Sequence, residues 1–236
     1  MISTRRTAVV TGLVFIVATV AALLAAAITP VLTGADYLTQ VAAHGNEVAT
    51  SALLYVIAAF GSAGIAVTLY PVLRRTTPGL AIGSVVFRTL EAALYLVPVV
   101  SLLSLLTLGQ QATAAGTADQ ASFGAVGGVL VSLRDHGNVA AIFAFSLGAG
   151  LYYVALFQSR LIPRWLSGWG IVAVILMAAA GVSSVFTDDP ITGYGLLILP
   201  IFVQEMVLAV WLIGKGFSST AAVPSGSTVQ PALAPA

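Results

Sequence analysis

The sequence contains no cysteine and very little charge. Without cysteine, disulfide bonds, thiolate chemistry and cysteine-ligated zinc are excluded. Charged residues make up 7% of the chain and hydrophobic residues 59%, whereas a soluble domain carries about 25% charged residues. A chain of this composition folded in water would lack the polar side chains that a protein surface needs. The composition therefore predicts an integral membrane protein that crosses the bilayer several times.

Several functional signatures are also missing. The two histidines, His44 and His136, are too few for a His-rich zinc site, although a mixed histidine and carboxylate site stays open. A net charge of +1 gives no electrostatic reason to expect nucleic acid as a partner. No nucleophile elbow, phosphate loop or dinucleotide fingerprint is present. We expect no metal and no cofactor, and we assign no catalytic residue.

Six apolar runs are long enough to cross a bilayer, which takes about 20 residues of helix. The start of the fourth run is open between Phe123 and Gly137. We predict an all-α, polytopic six-helix bundle over residues 1–216 and a disordered cytoplasmic tail over residues 217–236. The predicted spans cover residues 8–29, 48–73, 79–108, 126–158, 165–187 and 191–214.

The basic residues outside the spans all fall on one predicted side of the membrane. They are Arg5, Arg6, Arg74, Arg75, Arg160, Arg164 and Lys215. The other side carries only acids, namely Asp36, Glu47, Asp119, Asp188 and Asp189. The positive-inside rule then places both termini in the cytoplasm. Eight arginines against one lysine, together with abundant alanine, suggest a GC-rich bacterial genome, and we therefore predict the bacterial inner membrane. The first run is longer than a typical signal-peptide core, and Arg5 and Arg6 are explained as a topology anchor rather than a twin-arginine signal.

Two connections on the acidic side have some local pattern. Apolar residues at helical spacing follow Asp36, which is typical of a short interfacial helix or of an ordered connector. Residues 109–121, rich in Gln, Thr, Ala and Gly, predict an exposed connector. Pro98 and Pro200 are expected to kink the third and sixth spans. Glycine pairs such as Gly61 and Gly64 permit close helix contacts, either within the chain or between copies.

Three ionisable residues are predicted to lie deep in the membrane. Counted at about 1.5 Å per residue from the basic side, Arg88 lies about 13 Å, Glu91 about 18 Å and Glu205 about 15 Å inside. We therefore predict that the third and sixth spans touch, that Arg88 bridges both acids, and that Gln204 adds an amide. One arginine does not neutralise two carboxylates, so one acid is expected to hold a proton. The alternative is a packing bridge without further function.

A second polar cluster, Arg134-Asp135-His136, has two interpretations. If the fourth span begins at Gly137, the cluster caps the outer end of that span. If the helix runs unbroken from Phe123, the cluster lies at the outer rim of the bundle interior. His136 is suited to change its charge near neutral pH.

Several segments resemble a bacterial membrane family known as domain of unknown function 4386 (DUF4386). They are 66–73, Phe87-Arg88 with Glu91, 101–105, Arg134-Asp135, the string Gln-Ser-Arg-Leu-Ile-Pro-Arg-Trp-Leu-Ser at 158–167, and Gln-Glu-Met-Val-Leu-Ala-Val-Trp-Leu at 204–212. The resemblance implies a six-helix integral membrane protein and no assigned activity. The family pattern often has Trp after Arg134-Asp135, where this chain has His136.

Three functions are compatible with these residues, and the bilayer is the one partner that they identify. A small-molecule or proton-coupled carrier or sensor would use Arg88, Glu91 and Glu205, and it predicts a water-accessible cavity at these charges. A non-catalytic structural or partner-binding protein predicts a dry, closed charge cluster. A membrane-embedded enzyme, the least favoured, predicts a lipid-sized cleft that reaches Asp135 and His136.

Overall fold

The chain is helical over nearly all of the residues that the computed structural model describes, which are 4–116, 120–187 and 189–218. No strand occurs in these ranges, so the predicted all-α class is confirmed. A short 3₁₀ helix, Ile191–Tyr194, directly precedes the last α-helix. The α-helices are α1 (Thr4–Ile28), α2 (Tyr37–Ala43), α3 (Gly45–Leu73), α4 (Pro78–Ala115), α5 (Gln120–Ser159), α6 (Arg164–Thr187) and α7 (Gly195–Gly214).

Six helical segments are long and apolar enough to cross a membrane: α1, α3, α4, α5, α6 and the segment Ile191–Gly214 that contains α7. Each span packs against the next one in the chain, and α1 also packs against α7, so the six spans form a closed ring. Short connections make consecutive spans antiparallel. One end of the ring, the basic end, carries Arg5, Arg74, Arg75, Arg160, Arg164 and Lys215, and the opposite acidic end carries Asp36, Glu47 and Asp189.

Helices α4 and α5 are longer than a membrane requires. They contain 38 and 40 residues, which is about 57 and 60 Å of helix against about 30 Å of hydrocarbon. Their acidic-end extensions pack with α2 around a small second core that includes Leu38, Val41, Val48, Leu102 and Leu105. The spans therefore continue at the acidic end into a cap that is built from α2, α4 and α5.

Residues 109–121 are predicted to be an exposed connector, and most of the described residues in this range are exposed, but they are helical and do not form a separate connector. Helix α4 continues to Ala115, and α5 begins at Gln120. Alanine and glutamine favour helix, and the absence of a side chain at Gly109 lets the Leu38 carbonyl approach closely. Asp119, Asp188 and residues 219–236, which make up most of the predicted tail, lie outside the described residues.

Two open alternatives are decided by the helix bounds. The residues after Asp36 form the short helix α2, which packs against α4. Helix α5 runs unbroken through Arg134, so this residue lies within a helix and does not cap one. Helices α4 and α7 both continue through their prolines, Pro98 and Pro200.

Candidate functional site

Arg88 is among the largest fully buried side chains of the protein, with 2% of its surface exposed. Its Nη1 lies 2.9 Å from Oε2 of Glu91, one turn further along α4. Its Nε donates a hydrogen bond to the backbone carbonyl of Ser62 on α3, at 3.3 Å. Glu91 is also 2% exposed. The pair that the three-residue spacing predicts is therefore formed, and it lies inside the ring of spans.

Two aromatic rings on α5 cover the Arg88 guanidinium. Its central carbon lies 4.7 Å from the ring centroid of Phe145 and 5.9 Å from that of Tyr152. Aromatic faces attract cations electrostatically, and more strongly where water is excluded. The cation is thus stabilised by one carboxylate, one carbonyl and two rings.

The hydrogen-bond partner of Glu205 on α7 is Thr19, whereas the predicted partner was Arg88. Its Oε2 accepts a hydrogen bond from Thr19 Oγ1 on α1, at 2.9 Å. The predicted bridge from Arg88 to Glu205 is wrong, because the ion pairs among the described residues are Arg88–Glu91 and Arg134–Asp135. The predicted contact between the third and sixth spans is also wrong, since α7 packs against α1 and α6 and lies across the ring from α4.

The other carboxylate oxygen of Glu205, Oε1, is fully buried and has no hydrogen-bond partner among the described residues. Buried polar atoms are rarely left in this state, and each such case calls for an explanation. The protein around Glu205 therefore provides a hydrogen bond to only one of its two carboxylate oxygens.

Arg88, Glu91 and Glu205 all line one cavity, which touches all six spans. Its volume is about 70 Å³, and its polar lining consists of Thr19, Ser62, Arg88, Glu91, Tyr95 and Glu205. A water molecule needs about 10–15 Å³ of this kind of volume, so the cavity has room for a few waters. The ring thus brings the predicted charges together around a small polar space, although α4 and α7 are not neighbours.

Gln204 does not join the charge cluster, contrary to the prediction. Its Oε1 accepts a hydrogen bond from the Tyr153 hydroxyl, and its Nε2 donates to the Leu166 carbonyl at 3.1 Å. Adjacent residues on a helix point about 100° apart, so Gln204 faces α5 and α6 while Glu205 faces the cavity. Its role is to join three helices.

The Arg134-Asp135-His136 cluster lies on α5 as well, nearer to the acidic end than Phe145 and Tyr152. Arg134 Nη1 is 2.9 Å from Asp135 Oδ1, and His136 Nδ1 donates to the Ser132 carbonyl at 2.8 Å. Asp135 and His136 line a separate cavity of about 100 Å³ together with Ser184 and Asp189. Small-molecule sites usually measure about 300–1,000 Å³, so this cavity is smaller than a usual small-molecule site. No set of three metal-ligating side chains occurs in the described ranges.

Sequence reasoning missed the residues that complete the central site: Thr19, Ser62, Tyr95, Phe145 and Gly148. Small hydroxyl residues are common in membrane helices, where they also bond to their own backbone. Isolated Thr and Ser residues in apolar runs therefore give no distinct signal of a site.

A closed ring of apolar helices around a buried ion pair and a second acid defines a multi-pass membrane protein with a charged interior. The chain matches the family described as Domain of unknown function (DUF4386) over residues 10–216, and it belongs to that family. No curated protein and no solved structure matches the chain. The resemblance found in the sequence is confirmed, and the family description assigns no activity.

Proposed function

We propose that this protein is a proton-coupled membrane carrier or sensor in which Glu205 binds and releases the proton. The observation that carries this proposal is the incomplete surroundings of the Glu205 carboxylate. One oxygen accepts a hydrogen bond from Thr19, and the other has no partner in the described part of the chain.

The charges of the cavity favour a proton at Glu205. Arg88 Nη1 lies 2.9 Å from Glu91 Oε2, so the two side chains form an ion pair with no net charge. Glu205 has no cationic side chain within ion-pair distance among the described residues. An unpaired charge in the membrane costs about 2.5–3.5 kcal/mol even on the lenient insertion scale. A proton on Glu205 removes this cost.

The space around Glu205 favours a proton over a larger cation. The Oε1 atom itself is buried, so a metal ion would need a rearrangement to reach it, whereas Glu205 as a residue still borders the cavity. A proton adds no volume. When the proton leaves, the Thr19 hydroxyl and the nearby Arg88 guanidinium stabilise the carboxylate. The cavity supplies room for the waters that would carry the proton.

The membrane orientation is part of the proposal. The described Lys and Arg residues outside the spans lie at the basic end, and the acids Asp36, Glu47 and Asp189 lie at the other end. The positive-inside rule then places the basic end in the cytoplasm of a bacterial inner membrane, with both termini on that side.

Infrared spectroscopy of the protein in lipid vesicles tests the assignment of the proton. A protonated carboxyl has a C=O stretch that is resolved from that of a carboxylate. We expect this band in the native protein at neutral pH, its loss in Glu205→Gln, and its retention in the double variant Arg88→Gln with Glu91→Gln, which removes the neutral ion pair as a whole. A band that persists in Glu205→Gln and disappears in the double variant would assign the proton to Glu91 and overturn the proposal.

Cysteine labelling distinguishes a functional cavity from a dry packing cluster. Ala58 and Ala59 are adjacent and both buried, but only Ala58 lines the cavity. In the cysteine-free chain, Ala58→Cys should react with a small water-soluble thiol reagent and Ala59→Cys should not. Equal protection of both positions, with normal labelling at Thr76→Cys in an exposed connection, would favour a purely structural charge cluster.

A further inference from the structure

An apolar groove lies between α4 and α5 on the outside of the ring. Its volume is about 450 Å³, and its walls include Leu96, Val100, Ser101 and Ser104 of α4 with Leu130 and Leu133 of α5. It is separate from the central cavity and plays no part in the proposed proton site.

The position of the groove along the membrane normal follows from helix geometry. A side chain at Gly137 of α5 would lie 3.0 Å from the Pro98 ring of α4, so these two residues are level. Pro98 is 20 residues beyond Pro78, at the start of α4, which is about 30 Å of helix and matches the hydrocarbon thickness. Ser104 lies about 9 Å, and Leu130 about 10.5 Å, closer to the acidic end than this level. The groove therefore crosses the boundary between hydrocarbon and headgroups at the acidic end.

The surface stays apolar where a membrane protein normally becomes polar. No charged residue occurs in α4 after Glu91, or in α5 before Arg134. Val100 and Val129 are 61% and 67% exposed. A contiguous apolar surface outside the hydrocarbon marks an interaction site.

We propose that this groove binds one acyl chain of a lipid from the leaflet at the acidic end, and that it draws the chain up past the headgroup boundary. The groove is continuous with the lipid-facing surface of α4 and α5, so a chain enters it from the bilayer without crossing water. Its walls are almost entirely apolar, which suits a hydrocarbon chain. Ser104 lies at the end of the groove that extends beyond the hydrocarbon.

Photolabelling with phosphatidylcholine that carries a diazirine on its acyl chain tests this proposal. The full chain in vesicles is irradiated, and the labelled residues are mapped by mass spectrometry. We expect labels on the groove walls above the headgroup boundary, and few labels at Val185 and Phe186, which are 54% and 85% exposed at about the same height on α6. Even labelling of all exposed apolar residues would reduce the groove to ordinary lipid contact and overturn the proposal.

A variant that fills the groove can be compared with a matched control variant on α6. Ser104→Phe places a ring in the groove, and Ser183→Phe makes the same change at a half-buried serine of α6. We expect Ser104→Phe to lower labelling of Leu130 and Leu133 roughly tenfold, equivalent to about 1.4 kcal/mol of binding, and Ser183→Phe to leave it unchanged. Equal labelling in both variants would overturn the proposal.

A variant on the opposite wall keeps the test decisive if Ser104→Phe does not fold. Leu130→Ser removes apolar surface from α5 and should also weaken labelling.

A second copy of the chain is the competing occupant of the groove. Efficient crosslinking of Val100→Cys between copies, with no lipid label in the groove, would identify that occupant and exclude the acyl chain.

Discussion

Gly148 on α5 lies directly against the stem of Arg88 on α4. A side-chain carbon at this glycine would lie 2.9 Å from Cγ and 3.0 Å from the backbone nitrogen of Arg88. These distances are shorter than normal packing, and the backbone atom cannot swing aside. The glycine therefore allows a full arginine side chain to lie between two closely packed helices.

Replacement of Gly148 by alanine is expected to destabilise the protein, because the added methyl group pushes α5 away from α4. Overpacking of this kind costs about 1–3 kcal/mol. Gly150→Ala is the control, since its methyl group would meet Val174 at an ordinary 3.8 Å. Thermal unfolding in detergent, followed by circular dichroism, should show a lower Tm for Gly148→Ala only. An unchanged Tm would mean that the helices separate easily here.

Removal of the Arg88 cation is expected to be more damaging than removal of the whole ion pair. Arg88→Gln leaves Glu91 buried without its partner, and breaking a buried pair in this way costs about 3–5 kcal/mol. The double variant Arg88→Gln with Glu91→Gln removes both charges and should recover part of the lost stability. Unfolding of the two single variants and the double variant completes a mutant cycle. A double variant no more stable than Arg88→Gln would show that Glu91 is not the main partner.

Tyr153 and Tyr152 are adjacent, fully buried tyrosines with different hydrogen bonding. The Tyr153 hydroxyl donates to Gln204, whereas the Tyr152 hydroxyl has no well-placed partner in the described ranges. Tyr153→Phe leaves the Gln204 oxygen unsatisfied, which should cost about 1–3 kcal/mol. Tyr152→Phe should be nearly neutral. Chemical denaturation of both variants measures the difference, and equal stabilities would rule out the Tyr153–Gln204 bond as a significant link.

Arg5 joins the first and last spans at the basic end. Its guanidinium donates to the carbonyls of Leu212 and Ile213, at 3.3 and 2.6 Å, where α7 ends. A cation at a helix C-terminus contributes about 0.3–1 kcal/mol. Arg5→Gln should speed hydrogen exchange in the last turn of α7, and Arg75→Gln, which removes the same charge from the exposed connection between α3 and α4, should not. Equal exchange rates in the two variants would assign the effect to net charge alone.

Part of the site was predictable because it is local. Arg88 and Glu91 are three residues apart on one helix, and this spacing places them on one face wherever the helix packs. The partners of Glu205 and Gln204 are not local. Thr19 and Tyr153 are 186 and 51 residues away from them, and the depth of a residue in the membrane does not reveal which neighbour it faces.

The number of spans follows from the sequence alone. Hydrocarbon offers no hydrogen bonds, so each long apolar segment must form a helix that satisfies its own backbone. This requirement depends only on length and composition, and for that reason six spans and their alternating direction were readable without a structure.

The order of the helices around the ring, and the face that each turns inward, were decided by tertiary structure. Lipid is as apolar as the protein interior, so apolar residues cover both faces of a span. In α1, Leu13 is 51% exposed and Phe15 is fully buried, although both are large and hydrophobic. Side-chain size and close packing determine which face of a span turns toward the protein interior. That choice placed Glu205 beside Thr19, left one of its oxygens without a partner, and opened the cavity between it and Arg88.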